Sequence, residues 1–249
     1  MDPSTNPRGV ALVVGAGDAT GSAIGARFAR EGYTACLTRR SADKLEPAVE
    51  RIRAGGGQAF GYGSDARKEE DVVALIDQIE KERGPIEVMV FNIGANVPSS
   101  ILEETARKYM KIWEMAAFSA FLNAREVARK MVARGRGTIL FTGATAGIRG
   151  SANFAAFAGA KHALRALAQS MARELGPEGI HVAHLVIDAG VDTAFVRERI
   201  QAAGRDPATL PEGSLLNPAS IGETYWLLHQ QPRDAWTFEL DLRPHRESW

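Results

Sequence analysis

The sequence predicts an α/β protein with a doubly wound parallel sheet and helices on both faces. Short apolar runs alternate along the chain with longer amphipathic segments, as consecutive βα units require. Most runs are apolar throughout, which is typical of parallel strands covered on both faces. Seven strands are predicted, at residues 10–14, 35–38, 59–62, 88–92, 138–142, 181–187 and 237–242.

Helices are predicted where apolar residues recur three or four positions apart. Segments 22–31 and 43–54 each end at glycine, and Ser41 is the predicted N-cap of the second. Further helices are predicted at 69–83, at 106–134 and around the series Phe157, Lys161, Leu164, Ala168, Met171 and Leu175. One turn separates Phe157 from Lys161, so they share a helical face.

Composition limits the domain organisation and the partners. The 249 residues are 45% hydrophobic, which predicts one domain over 1–249. A substrate loop or lid is predicted around 191–218, and its least regular part is 203–218. Lys plus Arg equals Asp plus Glu at 30 each, so charge does not favour nucleic acid or an anionic membrane. Five His and one Cys form no metal-binding pattern. The first nine residues lack a secretory pattern and no apolar run is long enough to span a membrane, so we expect a cytoplasmic location.

The first strand runs into a glycine-rich turn that a helix follows. Glycines there let the backbone approach a pyrophosphate, and the helix N-terminus offers N–H groups and a positive dipole. The strand before and the helix after favour nucleotide binding over a tight turn without a ligand. This predicts a Rossmann-type fold whose turn consists of Gly15, Ala16, Gly17, Asp18, Ala19, Thr20 and Gly21.

The end of the second strand indicates which dinucleotide would bind. An acidic residue there would accept hydrogen bonds from a ribose 2′-hydroxyl, but this chain has Arg39 and Arg40. Two guanidinium groups can hold a 2′-phosphate instead, which favours NADP(H) over NAD(H). Asp18 in the turn is a contrary charge, and the alternative is that both arginines are only solvated.

With these features the chain resembles the short-chain dehydrogenase/reductase family over nearly its whole length. Its turn resembles the family pattern TGxxxGxG, with Gly15 and Gly21 retained while Val14 and Ala19 replace a threonine and a glycine. The resemblance implies an oxidoreductase that binds a small-molecule substrate and assembles as a homodimer or homotetramer.

Two further motifs match positions where the family binds its cofactor. The stretch "GSDARKEEDV" places Asp65, next to Ala66, where the family holds the adenine amino group. The stretch "FNIGA" replaces the family's NNAG and puts Asn92, Ile93 and Gly94 beside the cofactor at a strand end.

The family's chemistry depends on Asn, Ser, Tyr and Lys, and the resemblance carries over only the lysine. The tyrosine, which would pass a proton to or from the substrate oxygen, is replaced by Phe157, while Lys161 is retained. Ala144 occupies the serine position, although a shift of one residue in the alignment would bring Thr145 there instead. Ala116 occupies the asparagine position. Phenylalanine cannot exchange a proton, so the usual mechanism cannot operate.

A replacement group is therefore needed for catalysis. Lys161 could polarise a substrate oxygen, or it could only hold ribose hydroxyls. Thr145 could replace the serine, or it could be a turn residue. Asp188 follows the sixth predicted strand, at the sheet edge where ligands bind, and is either functional and near the cofactor or a turn aspartate.

Three functions follow from these residues. The first is an NADP(H)-dependent oxidoreductase with an atypical proton donor. Losing a general acid costs about 10²–10⁴-fold in rate, so hydride transfer is slowed and not abolished. A conjugated C=C or another activated substrate would suit it, because such a substrate makes smaller demands on an acid. The alternative is a catalytically silent nucleotide-binding protein, a sensor or partner subunit. A third reading is a structural domain whose cofactor site has closed.

Overall fold

The sheet has seven parallel strands in the order β3-β2-β1-β4-β5-β6-β7. The computed structural model describes residues 8–247, so positions 1–7, in the N-terminal stretch considered above, and 248–249 lie outside the described residues. The predicted doubly wound sheet is confirmed, with each strand boundary within two residues of its predicted position. The strands are β1 Val10–Val14, β2 Thr34–Arg39, β3 Gln58–Gly63, β4 Ile86–Phe91, β5 Gly137–Thr142, β6 Ile180–Ile187 and β7 Glu239–Leu242.

The strand order reverses at β1, which lies between β2 and β4. In register, Val14 pairs with Thr38 on β2 and with Phe91 on β4. The residues that follow these three therefore lie at one carboxyl edge of the sheet. In open α/β sheets this reversal point is where a crevice for ligands forms.

Eight α-helices accompany the strands in the part of the chain that the structure describes. They are α1 Thr20–Arg30, α2 Glu46–Ala54, α3 Glu69–Arg83, α4 Ala106–Trp113, α5 Ser119–Val132, α6 Ala155–Leu175, α7 Ala194–Ala202 and α8 Pro218–His229. Two hydrophobic cores, one on each face of the sheet, divide these helices into two groups. One contains buried residues of α1, α2 and α8, and the other contains those of α3, α5 and α6.

Two helix predictions need correction. The single helix predicted at 106–134 is α4 and α5 joined by a π-helical segment, Glu114–Phe118, whose wider turn leaves no mark in the apolar spacing. Ser41 forms no side-chain cap. A 3₁₀ turn, Ala42–Leu45, comes first, and α2 begins at Glu46, where Pro47 suits the first helical turn.

In the segment predicted as a lid, 191–218, α7 occupies much of the first half, and the part predicted to be least regular, 203–218, follows it. A 3₁₀ turn, Pro207–Thr209, and the start of α8 follow. Among the helices described here, none is long and apolar enough to cross a membrane. Within residues 8–247, no group of three or more His, Cys, Asp and Glu side chains could hold a metal ion.

Candidate cofactor and substrate site

The turn after β1 depends on glycine at two of its positions. Gly15 has a φ of 88°, and a Cβ there would lie 2.6 Å from Cγ1 of Ile93. A Cβ on Gly21 would lie 2.6 Å from the Cα of Ala16, so the start of α1 can pack on the turn only without a side chain. Gly17 differs, because a Cβ there would meet no atom within 4 Å. Its open side leaves room for a ligand beside the backbone.

The N-terminus of α1 has no side-chain cap, a property that it shares with α2, α3, α5 and α6. Side chains of Thr105, Thr193 and Asn217 cap α4, α7 and α8, whereas Ala19 caps α1 without a side-chain hydrogen bond. Helix geometry leaves the first N–H groups without intrahelical partners, and their dipole favours an anion. Thr20, the first residue of α1, lines the cleft that we call the substrate cleft below. The residues present therefore fit a pyrophosphate at this end.

A cleft of about 340 Å³, here called the nucleotide cleft, runs from the glycine turn past the end of β2. Four cationic residues line it: Arg39, Arg40, Lys44 and Arg67. Arg39 lies 3.6 Å from the exposed carboxylate of Asp18 and donates to the Lys44 carbonyl at 3.3 Å. Sequence reasoning missed Lys44 and Arg67 as cleft residues, because only the fold brings their segments to the arginine pair.

Asp65 pairs with Arg67 beside this cleft. The guanidinium of Arg67 donates to the two carboxylate oxygens at 2.8 and 2.6 Å. These bonds lower the pKa of Asp65 to about 2 and keep it anionic at neutral pH. Ala66 lines the cleft directly. Recognition of the adenine amino group by Asp65 remains a prediction.

Asn92 ties the glycine turn to the centre of the sheet. Its Nδ2 donates to the Gly15 carbonyl at 3.2 Å, and its Oδ1 accepts from the Thr142 hydroxyl at 3.0 Å. The Tyr225 hydroxyl lies 2.6 Å from Oγ1 of Thr142. A threonine has one hydroxyl proton, so Tyr225 must be the donor in this pair. Burial raises the pKa of Tyr225, which keeps that proton in place.

Lys161 lies with its amine at the carboxyl ends of β4 and β5. The side chain is buried, and Nζ donates to the carbonyls of Thr142 at 2.8 Å and Ile93 at 3.2 Å. Burial lowers its pKa to about 7. The buried ring of Phe157 has its centroid 5.9 Å from Nζ. The phenol of Tyr225 belongs to the core on the opposite face of the sheet and does not replace the missing tyrosine.

The substrate cleft, of about 460 Å³, adjoins the nucleotide cleft, and residues 92–94 line both. Phe154 and Phe157 contribute apolar walls, and Ala144, which was predicted to occupy the family's serine position, also lines the cleft. Ala116 is fully buried in the π-helical segment, packed in the same small core as Phe157. Neither alanine offers a polar group to a substrate.

Thr145 and Asp188 meet at the edge of the substrate cleft. Thr145 lines the cleft, and its hydroxyl donates to Oδ1 of Asp188. Oδ2 of Asp188 lies 3.3 Å from the guanidinium of Arg243, which also pairs with Asp241. The backbone N–H of Asp188 donates to the Leu242 carbonyl at 2.8 Å. Asp188 therefore lies behind Thr145, while the residues on either side of it line the cleft.

Comparison with known proteins identifies the family. The family described as short chain dehydrogenase matches residues 9–203, so this chain belongs to the short-chain dehydrogenase/reductase family. Members are oxidoreductases that act on small molecules with NAD or NADP as cofactor. The resemblance found in the glycine turn and strand-end motifs is thereby confirmed at the level of the family.

Three similar proteins illustrate the relationship. A short-chain dehydrogenase from Rhodopseudomonas palustris, known from its crystal structure, is 45% identical, with a TM-score of 0.82 over 96% of this chain and 100% of that one. A short-chain dehydrogenase/reductase of Armillaria gallica is 33% identical over 176 residues, 70% of this chain and 67% of that protein. An alcohol dehydrogenase from Thermococcus sibiricus, solved with 5-hydroxy-NADP, is 25% identical, with a TM-score of 0.82 and coverage of 97% and 99%.

Proposed function

We propose that this chain is an NADP(H)-dependent oxidoreductase in which a group other than tyrosine moves the proton. The observation that carries the proposal is the pair of adjoining clefts that meet at residues 92–94. One is lined by cations and by the glycine turn, the other by apolar side chains and a buried amine. A dinucleotide lying across both would bring its reactive ring to the apolar cleft.

The residues of the nucleotide cleft fit NADP(H) in chemical type. The turn from Gly15 to Gly21, with Gly17 open and α1 uncapped, would hold the pyrophosphate. Arg39 and Arg40 would bind the 2′-phosphate in place of Asp18, and Lys44 and Arg67 add positive charge. The cofactor, when bound, supplies or accepts a hydride.

The nicotinamide end would be formed by residues 92–94 together with Lys161. Two of the three N–H donors of Lys161 are used by backbone carbonyls, and the third can bind a ribose hydroxyl or a substrate oxygen. A pKa of about 7 also suits an amine that gives and takes a proton near neutral pH. Both the binding role and the acid–base role therefore remain within this proposal.

A catalytically silent nucleotide-binding protein is less well supported. The missing tyrosine, serine and asparagine would fit it, but the relatives are oxidoreductases and the substrate cleft keeps its volume beside a buried amine. A closed cofactor site is disfavoured by the 340 Å³ nucleotide cleft. We also propose a homodimer or homotetramer, because apolar surface is exposed by Leu102 before α4, by Met110 on α4 and by Phe121 on α5.

The test combines cofactor binding with turnover. The purified chain is titrated with NADPH and NADH while protein fluorescence is followed, and is then assayed on panels of ketones, conjugated enones and secondary alcohols. We expect micromolar binding that is tighter for NADPH, with turnover in at least one panel. No binding at millimolar cofactor would overturn the proposal. Binding without any turnover would favour the silent protein.

A further inference from the structure

The hydrogen bond between Thr145 and Asp188 places a carboxylate one hydroxyl away from the substrate cleft. Thr145 lines the cleft, and its proton points to Oδ1 of Asp188. Its hydroxyl oxygen is therefore free to accept a hydrogen bond from a group in the cleft, since a threonine oxygen has two lone pairs. A donor such as an alcohol O–H would complete an unbroken path to the carboxylate.

Other groups near the expected reaction centre are less suited to this step. Phe157 and Ala144 have no exchangeable side-chain proton. The hydroxyl of Thr142 already donates to Asn92 and accepts from Tyr225, so it is part of the hydrogen-bond chain beneath the glycine turn. Thr145 alone among these side chains combines contact with the cleft and a carboxylate acceptor.

We propose that Thr145 and Asp188 form the proton relay that replaces the family's tyrosine, and that the substrate is a secondary alcohol with an apolar body. This inference rests on the proposed oxidoreductase function. The substrate's C–H hydrogen leaves with its electron pair for an oxidised nicotinamide, and the C–O bond becomes C=O. The O–H proton passes to Oγ1 of Thr145 while the proton of Thr145 passes to Asp188. Asp188, whose side chain is 15% exposed, then releases its proton to water.

Arg243 holds Asp188 through the carboxylate oxygen that Thr145 does not use. Its guanidinium lies 3.3 Å from Oδ2 of Asp188, while Oδ1 accepts the hydrogen bond from Thr145. The same guanidinium also pairs with Asp241. Arg243 is therefore a positioning residue, since it acts through Asp188.

The walls of the cleft indicate the body of the alcohol. Phe154 and Phe157 contribute aromatic rings from the start of α6, and Phe195 and Val196 add apolar surface from α7. Phe195 also lines an adjoining cleft, which includes Lys108 and Lys111, so a long substrate can extend past α7. Apart from Lys161, the substrate cleft is lined by apolar residues, glycines and residues with hydroxyl or amide groups, which favours an uncharged substrate body there.

The experiment compares Thr145→Ala, Thr145→Ser and Asp188→Asn with the control Asp234→Asn, an exposed aspartate in the loop before β7, whereas Asp188 lies beside the last residue of β7. Oxidation of apolar secondary alcohols is measured with NADP⁺ in H₂O and in D₂O, and NADPH affinity and thermal unfolding are measured in parallel. We expect Thr145→Ala and Asp188→Asn to lower kcat by about 10²–10⁴-fold with NADPH affinity within about threefold of the unmodified chain. Thr145→Ser should retain most activity.

A solvent isotope effect distinguishes a relay from a structural role. In the unmodified chain kcat should be lower in D₂O than in H₂O because two protons move in the relay, and the residual activity of Asp188→Asn should show a smaller difference. Unchanged kcat and an unchanged isotope effect in Asp188→Asn would overturn the relay and leave the oxidoreductase proposal standing. The same holds if Asp188→Asn weakens NADPH binding but keeps kcat, since Asp188 would then serve the cofactor. No turnover by the unmodified chain would overturn both.

Discussion

The two ends of the crevice, the nucleotide cleft and the substrate cleft, differ in the side chains that line them. The nucleotide end has its glycine turn, the Asn92 anchor and four cationic residues around one cleft. The other end, called the catalytic end after the role proposed above, is lined by Lys161, Phe157 and Ala144, of which only Lys161 carries a polar side-chain group. Under the proposed function, cofactor binding and proton transfer would therefore depend on residues of different clefts and could be removed separately.

The difference also concerns the surroundings of charge. At the nucleotide end, Arg39 and Arg40 keep solvent-accessible surface, and Arg39 lies 3.6 Å from the exposed carboxylate of Asp18. Lys161 is enclosed, and removal from water lowers the pKa of its amine to about 7. The guanidinium groups at the nucleotide end therefore stay positive in water, whereas the buried amine of Lys161 at the catalytic end can lose its proton near neutral pH.

The largest effect is expected from Lys161→Met, which tests whether the catalytic end is still functional. Methionine fills similar space but donates no hydrogen bond to the Thr142 and Ile93 carbonyls or to a substrate. We expect kcat/KM to fall by about 10²–10⁴-fold, measured by NADPH formation or use. His162→Ala is the matched control, because His162 is the next residue of α6 and is exposed. Equal effects of the two substitutions would contradict a role for Lys161 in the reaction.

Phe157→Tyr would return a phenol to the catalytic end. The ring it replaces lies 5.9 Å from the Lys161 amine, whose positive form would help to lower the pKa of the new hydroxyl. We expect carbonyl reduction to accelerate by about 10²-fold, the lower limit for a general acid, when initial rates are compared with NADPH in excess. Phe154→Tyr adds a phenol to the same cleft at another position and is the control. A similar gain in both variants would mean that position relative to Lys161 does not matter.

Removing the arginines should affect only the nucleotide end. Arg39→Ala and Arg40→Ala should each weaken NADPH binding by about 10- to 100-fold, because a charge-assisted bond to phosphate is lost, while NADH affinity stays nearly constant. Fluorescence titration with both cofactors measures this. Arg51→Ala, on the exposed side of α2, should change neither. If NADH affinity falls as much as NADPH affinity, the arginines do not read the 2′-phosphate.

Gly17→Ala is expected to change the free energy of unfolding least among these substitutions, although it should weaken dinucleotide binding. Gly17→Ala adds a methyl group to open space, so the free energy of unfolding should stay within about 0.5 kcal/mol while dinucleotide affinity falls. Gly21→Ala places its methyl group 2.6 Å from the Ala16 Cα and should cost about 1–3 kcal/mol of stability. Chemical denaturation and cofactor titration of both variants separate the two roles. Unchanged dinucleotide affinity in Gly17→Ala would show that its open side is not a ligand surface.

Local patterns were sufficient to predict much of the site. The β1 turn, the strand-end arginines and the one-turn spacing of Phe157 and Lys161 are contiguous features, so periodicity and motif spacing place them. The relation between Asp188 and Thr145 could not be predicted, because 43 residues separate them and the register of β5, β6 and β7 brings them together. Arg67, Tyr225 and Arg243 carry no motif at all.

The sequence by itself determined the α/β class, the seven strands and the family, because each follows from the order of apolar runs and from glycines that neighbouring residues require. Tertiary structure alone decided that Lys161 is stripped of water, that four cations line one cleft and that a carboxylate lies behind Thr145. Those properties depend on distances between side chains from separate strands and helices, and a chain acquires such distances only when the sheet has formed and its helices have packed.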